Sequence, residues 1–255
     1  MSRIIHKLRK MAHDNAFIRR TIYPKVWYFM NKVLHWRSRL LQVYGIDILL
    51  KVQDVAAKDG VKCSPYFGTL LGLVRDGKLI KHDIDIDFVV SPEVVKIKVF
   101  YDHLKSIGFK SERIILFNNR LLEFTMSYKE LMVDFFIVGV DVDKGRNIYI
   151  FDDRGEIRLH SYPKIMEMME LKIASGDIIR VPQNSETHLT NEYGNWRIPE
   201  KNWDARRGPS FRSLLDRSKC KFQCIRKEDE IDLYFETHLN IERIDGYRLD
   251  EYLLD

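Results

Sequence analysis

The sequence predicts an α+β domain, a mixed sheet flanked by helices, with a helical N-terminal extension. Apolar residues recur at helical spacing over residues 4–20 and about 25–58. Short runs rich in β-branched and aromatic residues follow, interrupted by helix starts and stops. Strands paired with flanking helices are the pattern of an α/β or α+β sheet domain. At 255 residues and 45% hydrophobic content the chain can bury one elaborated core. No Ser/Gly/Pro-rich linker or repeat divides it, so only a soft boundary is drawn. Residues 1–60 form the basic helical extension, and residues 61–255 form the sheet domain with C-terminal helical elements.

Each element has a local reason. The helix over 25–58 ends at Lys58-Asp59-Gly60, and Pro65-Tyr66-Phe67 reads as a short strand meeting Gly68. Thr69 to Arg75 is a short helix closed by the Asp76-Gly77 turn. Ile84 to Val90 alternates carboxylate and apolar residues, the period of a strand. Ser91-Pro92-Glu93 opens a helix, with Ser as N-cap and Pro at its first position, running to about Ser106. Strand-like runs follow at 110–117, 121–128 and 131–140. Asp152-Asp153-Arg154-Gly155 has hairpin chemistry, and Leu171 to Val181 folds back around Ser175-Gly176-Asp177. A short helix runs from Ser185 to near Gly194, and the tail after about 212 reads as helical.

The net charge of +5 is unevenly placed. Residues 1–51 carry Arg3, Lys7, Arg9, Lys10, Arg19, Arg20, Lys25, Lys32, Arg37, Arg39 and Lys51 against only Asp14 and Asp47. Interleaved apolar and aromatic residues make the segment amphipathic. It fits a helix lying on an anionic membrane face, but a helix packed on its own domain with a solvated basic face is the favoured reading, because charge asymmetry alone discriminates poorly. No apolar run approaches the ~20 residues needed to span a bilayer, and charge interrupts residues 1–30 as it would not in a signal peptide. A cytoplasmic location, peripheral at the inner membrane surface where the basic segment touches lipid, is the expectation. Cys63, Cys220 and Cys224 are too few and odd for a disulfide framework. Cys220 and Cys224 have ligand-like spacing, but only His238 stands near as a further ligand, so thiols are expected.

The chemistry lies in Gly68-Thr69-Leu70-Leu71-Gly72 and in Asp83-Ile84-Asp85-Ile86-Asp87. On a strand, alternate residues share a face, with neighbours ~6.6 Å apart and the outer pair ~13 Å apart. One ion therefore reaches Asp85 and Asp87, leaving Asp83 as an entrance or outer partner. Unpaired acids on one face repel and resist desolvation, so a cation belongs there, and hard oxygen donors select Mg²⁺ or Mn²⁺. The alternative is a solvated acid face without metal. Asp134 stands in a nearly unbroken apolar strand, either as a third ligand or as a buried acid paired with Arg120 or Lys129. Gly68-Thr69 opens a helix whose backbone N–H groups can cradle a phosphate, with the Thr hydroxyl as one more donor. Arg75 and Lys81 are positioned in sequence to clamp phosphate. His188, Tyr193, Trp196 and Arg197 can frame a donor or acceptor pocket, although Lys81 also suits a solvated surface and Trp196 the core.

A Gly-Thr helix start, a paired-acid strand and a later single acid together resemble the nucleotidyltransferase-fold superfamily. The finer resemblance is to the LicD and fukutin-related phosphotransferase group. It rests on Gly68-Thr69-Leu70-Leu71-Gly72, Arg75, Asp83-Ile84-Asp85-Ile86-Asp87, Val181-Pro182, His188-Leu189 and Tyr193-Gly194-Asn195-Trp196-Arg197-Ile198-Pro199, and covers residues 63–204. His82 stands where that group often carries Trp, and no complete cysteine-rich insert is found. The resemblance implies a nucleotidyltransferase-like sheet and transfer of a phosphorylated alcohol, such as ribitol phosphate or phosphocholine, from a CDP-linked donor. The implied acceptor is a glycan or lipid-linked sugar in surface-polysaccharide or glycoconjugate synthesis. Asp85, Asp87 and Asp134 would hold Mg²⁺, with Asp134 or Asp83 accepting the acceptor's proton. Two other readings stand beside it: a nucleotidyltransferase using an NTP on a small molecule or RNA, and a non-catalytic basic module for nucleic acid or membrane. The retained acids weigh against the module, and nucleic acid is not the expected partner.

Overall fold

The computed structural model describes residues 22–90, 94–141, 146–153, 156–165, 167–200 and 203–237. The expected helix over 4–20, the Ser91-Pro92-Glu93 start, the Arg154-Gly155 turn and His238 lie outside the described residues. The architecture is α+β with a mixed sheet.

Helix α1, Tyr23–Lys58, begins with a proline in its first turn, where the missing N–H has no intrahelical partner to lose. Its second half buries Leu41, Ile48, Leu49, Val52, Val55 and Ala56 in the main core. A boundary at residue 60 therefore cuts through the core, and this half of the extension is integral to the domain. Strand β1, Cys63–Pro65, leads into α2, Phe67–Asp76, and then β2, Asp85–Val90. Helix α3, Val94–Ser106, precedes three strands: β3, Lys110–Phe117, β4, Arg120–Tyr128, and β5, Leu131–Ile137. With β12, Phe222–Ile225, they form a six-stranded sheet of order β1-β2-β5-β4-β3-β12. The pairing of β2 with β5 is parallel and the others are antiparallel, which makes the sheet mixed.

Register gives the two faces of this sheet opposite chemistry. Phe88, Phe135 and Phe124 are partners across β2, β5 and β4. Their rings stack at 5.6 and 4.5 Å, and Phe100 of α3 meets Phe135 edge-on at 5.5 Å. Burying each ring contributes roughly 1.5–3 kcal/mol, so this face anchors the sheet on α1 and α3. One residue earlier along β2 and β5 lies the other face, where Asp87, Asp134, Thr125 and Arg113 are successive partners across β2, β5, β4 and β3.

A second, antiparallel sheet comprises β6, Gly139–Asp141, β7, Arg146–Asp153, β8, Glu156–Tyr162, and β11, Phe211–Leu215. The expected 171–181 hairpin is β9, Met168–Lys172, paired with β10, Ile178–Pro182. Helix α4 spans Ser185–Tyr193. The tail differs from the helical expectation: β11 and β12 precede α5, Glu228–Thr237. Both are sheet-edge strands whose exposed faces carry polar residues, so they lack the apolar alternation that marks a strand. No helix among the described residues is long and apolar enough to cross a membrane.

Candidate active site

The junction between β1 and α2 sets the site. Phe67, first residue of α2, has φ +46°, a conformation that costs a non-glycine residue about 1–2 kcal/mol. Its ring makes edge contacts with Tyr66, Phe136 and Phe151 that hold it there. The next two residues enter the first turn of α2. Thr69 is 1% exposed, and its hydroxyl oxygen accepts the Asp87 N–H at 2.9 Å. The expected phosphate donor is thus a buried clasp that locks α2 to the acid strand. Gly68 provides close approach, but to a carboxylate: a Cβ there would lie 2.6 Å from Asp83 Oδ2. In this structure, therefore, the side chain filling the space beside Gly68 is that of Asp83.

Asp85 and Asp87 lie on β2, whereas Asp83 sits in the turn before it, where Oδ1 accepts the Ile84 N–H. Adjacent strands are ~4.8 Å apart, so Asp87 directly faces its partner Asp134. Burial pushes Asp85 up to about 8, helped by the charges of Asp83 and Asp134. Asp87 is held well above the carboxylate range by burial and then by Asp85, Asp134, Asp83 and Glu123. Burial also raises Asp83 and Asp134. Asp134 is opposed by Arg113, 3.5 Å away, and accepts the Thr125 hydroxyl. Its partner is thus Arg113, while Lys129 lies over the Tyr44 ring.

Behind Asp134 runs a polar row that no local sequence pattern singles out. Glu123 is 5% exposed and pairs with Arg113 at 2.5 Å; Tyr149 of β7 donates to its other oxygen at 3.3 Å. Burial raises Glu123 to about 7, with the Asp134 charge adding to the effect and Arg113 opposing it. Arg37 of α1 also faces this field and favours the ionised forms of Asp85 and Asp134. Its Nε is buried without a hydrogen-bond partner among the described residues. The signal for Glu123 and Arg113 was alternation along β4 and β3, but only register reveals which acid they serve.

Two clefts open beside the acids. A cleft of ≈ 220 Å³ is lined by Gly68, Arg75, His82, Tyr193, Trp196 and Trp203, among others. Four of the expected substrate residues, Gly68, Arg75, Tyr193 and Trp196, therefore come together. The cleft abuts the acids at Tyr193, whose hydroxyl is held well above its usual range by burial and then by Glu192, Asp87 and Asp83. Trp203 packs 5.3 Å from Tyr193. Arg75 is engaged by Asp76 through two hydrogen bonds of 3.0 and 2.8 Å. A second cleft of ≈ 340 Å³ includes Trp36, Arg37, Lys110, Lys129 and Met132, and Met132 is the register partner of Asp85.

The remaining expected residues fall elsewhere. His188 is 1% exposed and bonds through Nδ1 to the Tyr66 hydroxyl, so it belongs to the core beneath the cleft. Burial, with the Arg146 charge, lowers it to about 4 and keeps it neutral at pH 7. Arg197 is exposed, stacked on Trp196 at 4.1 Å and paired with Glu186 at 2.9 Å. Lys81 is exposed in the turn before Asp83.

Among the described residues, no three His, Cys, Asp or Glu side chains converge as a ready-made metal cage. This departs from the expected three-ligand set on Asp85, Asp87 and Asp134. The donor chemistry nevertheless fits a hard cation, because Mg²⁺ is typically held by one or two carboxylates plus substrate phosphates. Four acids whose ionised forms are disfavoured, chiefly by burial, supply those carboxylates, and a cation would favour their ionised forms. Comparison with family models and with curated proteins finds no match to the chain.

Proposed function

We propose that the protein is a Mg²⁺- or Mn²⁺-dependent phosphotransferase that moves a phosphorylated alcohol from a CDP-linked donor to a glycan or lipid-linked sugar. The observation that carries this reading is the register pair of half-buried Asp87 and buried Asp134, with half-buried Asp85 alongside, near a cleft that presents Arg75, Tyr193, Trp196 and Trp203. The motif resemblance to the LicD and fukutin-related group, within a nucleotidyltransferase-like fold, supplies the donor class.

Asp85 and Asp87 would hold the ion, with Asp134 beside them, and its charge would offset that of the donor diphosphate. The aromatic walls of the cleft suit a pyrimidine base and its ribose, while Arg75 suits a phosphate oxygen through its forked geometry. The acceptor hydroxyl oxygen attacks the phosphorus bearing the alcohol, and the bond to the bridging oxygen breaks. CMP leaves and a phosphodiester forms. The closeness of Asp83 to Gly68, which lines the cleft, supports Asp83 as the group that takes the hydroxyl proton. Asp134 is occupied by Thr125 and Arg113 and serves better as a fixed charge.

Product analysis by phosphorus NMR tests the reading with CDP-ribitol, CDP-choline, CDP-glycerol and CTP, each with Mg²⁺. Release of CMP from a CDP-alcohol is the expected result. Pyrophosphate released from CTP would replace this reading with nucleotidyl transfer.

A further inference from the structure

Helix α1 is about 54 Å long at 1.5 Å per residue, and its first half carries a face that the domain does not cover. At 3.6 residues per turn, Lys25, Tyr28, Phe29, Lys32, Trp36, Arg39 and Val43 fall within about 100° of arc. All seven are exposed, with Tyr28 at 62%, Phe29 at 68%, Trp36 at 45% and Val43 at 68%. The domain lies on the opposite side. There Met30 and Leu41 are buried, and the Ser38 hydroxyl and Gln42 amide donate to the carbonyls of Lys81 and Ile80. Packing and these hydrogen bonds therefore set the outward orientation from Met30 onward, whereas before it Trp27 on the opposite side is also exposed, at 47%.

We infer that this stripe is a docking surface for an anionic lipid bilayer. Of the four Lys or Arg in residues 22–46, Lys25, Lys32 and Arg39 lie on the stripe and Arg37 turns to the acids. The first carboxylate on this face is Asp47, one turn past Val43 and paired with Lys51, so the stripe up to Val43 presents only the sign that an anionic headgroup attracts. Tyr and Trp are the side chains that settle at a membrane–water interface, and Phe29 and Val43 supply apolar surface for the acyl boundary. The same cations oppose a second copy of the chain, because stripe-to-stripe pairing over residues 25–43 would face Lys25, Lys32 and Arg39 against each other. Trp36 also lines the cleft of Arg37, Lys110, Glu112, Lys129, Glu130 and Met132, the register partner of Asp85, so bilayer contact at the stripe would bring the mouth of that cleft near the lipid surface. The inference does not depend on which reaction the acids perform.

Flotation of the full chain with extruded vesicles tests it. Binding is expected to phosphatidylcholine vesicles containing phosphatidylglycerol and not to phosphatidylcholine alone, and it should weaken with salt. Each cation near such a surface contributes about fivefold to partitioning. The Lys25→Glu/Lys32→Glu/Arg39→Glu variant should therefore bind at least about a hundredfold less, with an unchanged circular-dichroism spectrum and melting temperature. Phe29→Ser/Val43→Ser should weaken binding while keeping its salt dependence. Equal binding to neutral vesicles, or full binding by the charge-reversed variant, would overturn the assignment. So would a stable dimer by analytical ultracentrifugation that is lost in Phe29→Ser/Val43→Ser without any vesicle binding.

Discussion

Replacing Asp87 by Asn should make the metal-free protein more stable while removing its activity. Asp87 is half-buried among Asp85, Asp134, Asp83 and Glu123, all of which disfavour its charge. Asp85 lies two residues away on the same strand, ~6.6 Å along it. At an effective dielectric of about 20, one ionised neighbour at that distance costs about 2.5 kcal/mol. If Asp87 instead keeps its proton, the cost is that of protonating a group whose unfolded value is near 3.8, and it grows with pH. Either way the folded state is penalised more as pH rises above 4, and Asn escapes the penalty. The expected gain at pH 8 in EDTA is about 2–3 kcal/mol, or about 5–10 °C in Tm for a chain of this size. It should shrink steadily as the pH is lowered towards 4. Thermal melts at pH 5 and pH 8, read by circular dichroism, measure it. A loss of stability at pH 8, or a gain independent of pH, would refute the electrostatic account.

Other consequences follow from the same geometry. Asp85 is raised to about 8, so Mg²⁺ must displace its proton; affinity should climb between pH 6 and pH 8 and level off above. Calorimetry in buffers of different ionisation enthalpy should detect the released proton. Arg113→Gln leaves Glu123 buried without its cation and should cost about 2–3 kcal/mol in urea melts, below the fully buried value because the Arg113 side chain is 31% exposed. The Arg113→Gln/Glu123→Gln pair should recover most of that loss. Trp203→Ala should raise the Kd for a nucleotide donor about 5- to 100-fold through lost stacking, read by fluorescence titration. Gly68→Ala brings a methyl against Asp83 Oδ2. That carboxylate can swing away, so Tm should change little while kcat falls.

Several parts of the site were legible in the sequence because they rest on local chemistry. Alternation from Asp85 to Val90 fixed which residues face together, and the strand begins one residue later than the pattern suggested. Asp134 stood out because an acid inside Leu131–Ile137 needs a reason. The Tyr193–Trp196 segment reached the cleft together with Arg75, although its neighbour Arg197 turned outward to Glu186. What the sequence concealed depends on strand register and on packing. Arg113 and Glu123 read as ordinary strand residues until β3, β4 and β5 align them with Asp134. His188 looked like a site ligand, but helix α4 turns it to Tyr66. Thr69 carries a hydroxyl that suits phosphate, yet the nearest unsatisfied group was the Asp87 amide. The two strands of the tail were hidden by the polar composition that protects sheet edges.

If Asp85, Asp87 and Asp134 hold a divalent cation together with a cytidine diphosphate donor, binding of metal and donor must be coupled. Isothermal titration of the wild-type protein with CDP-ribitol, CDP-choline and CDP-glycerol, each with and without Mg²⁺, tests it most directly, with CTP and ATP alongside and Asp87→Ala as control. Binding of a CDP-alcohol that requires Mg²⁺ and disappears in a folded Asp87→Ala protein is the expected result. Binding that is indifferent to Mg²⁺, or retained in full by Asp87→Ala, would contradict it.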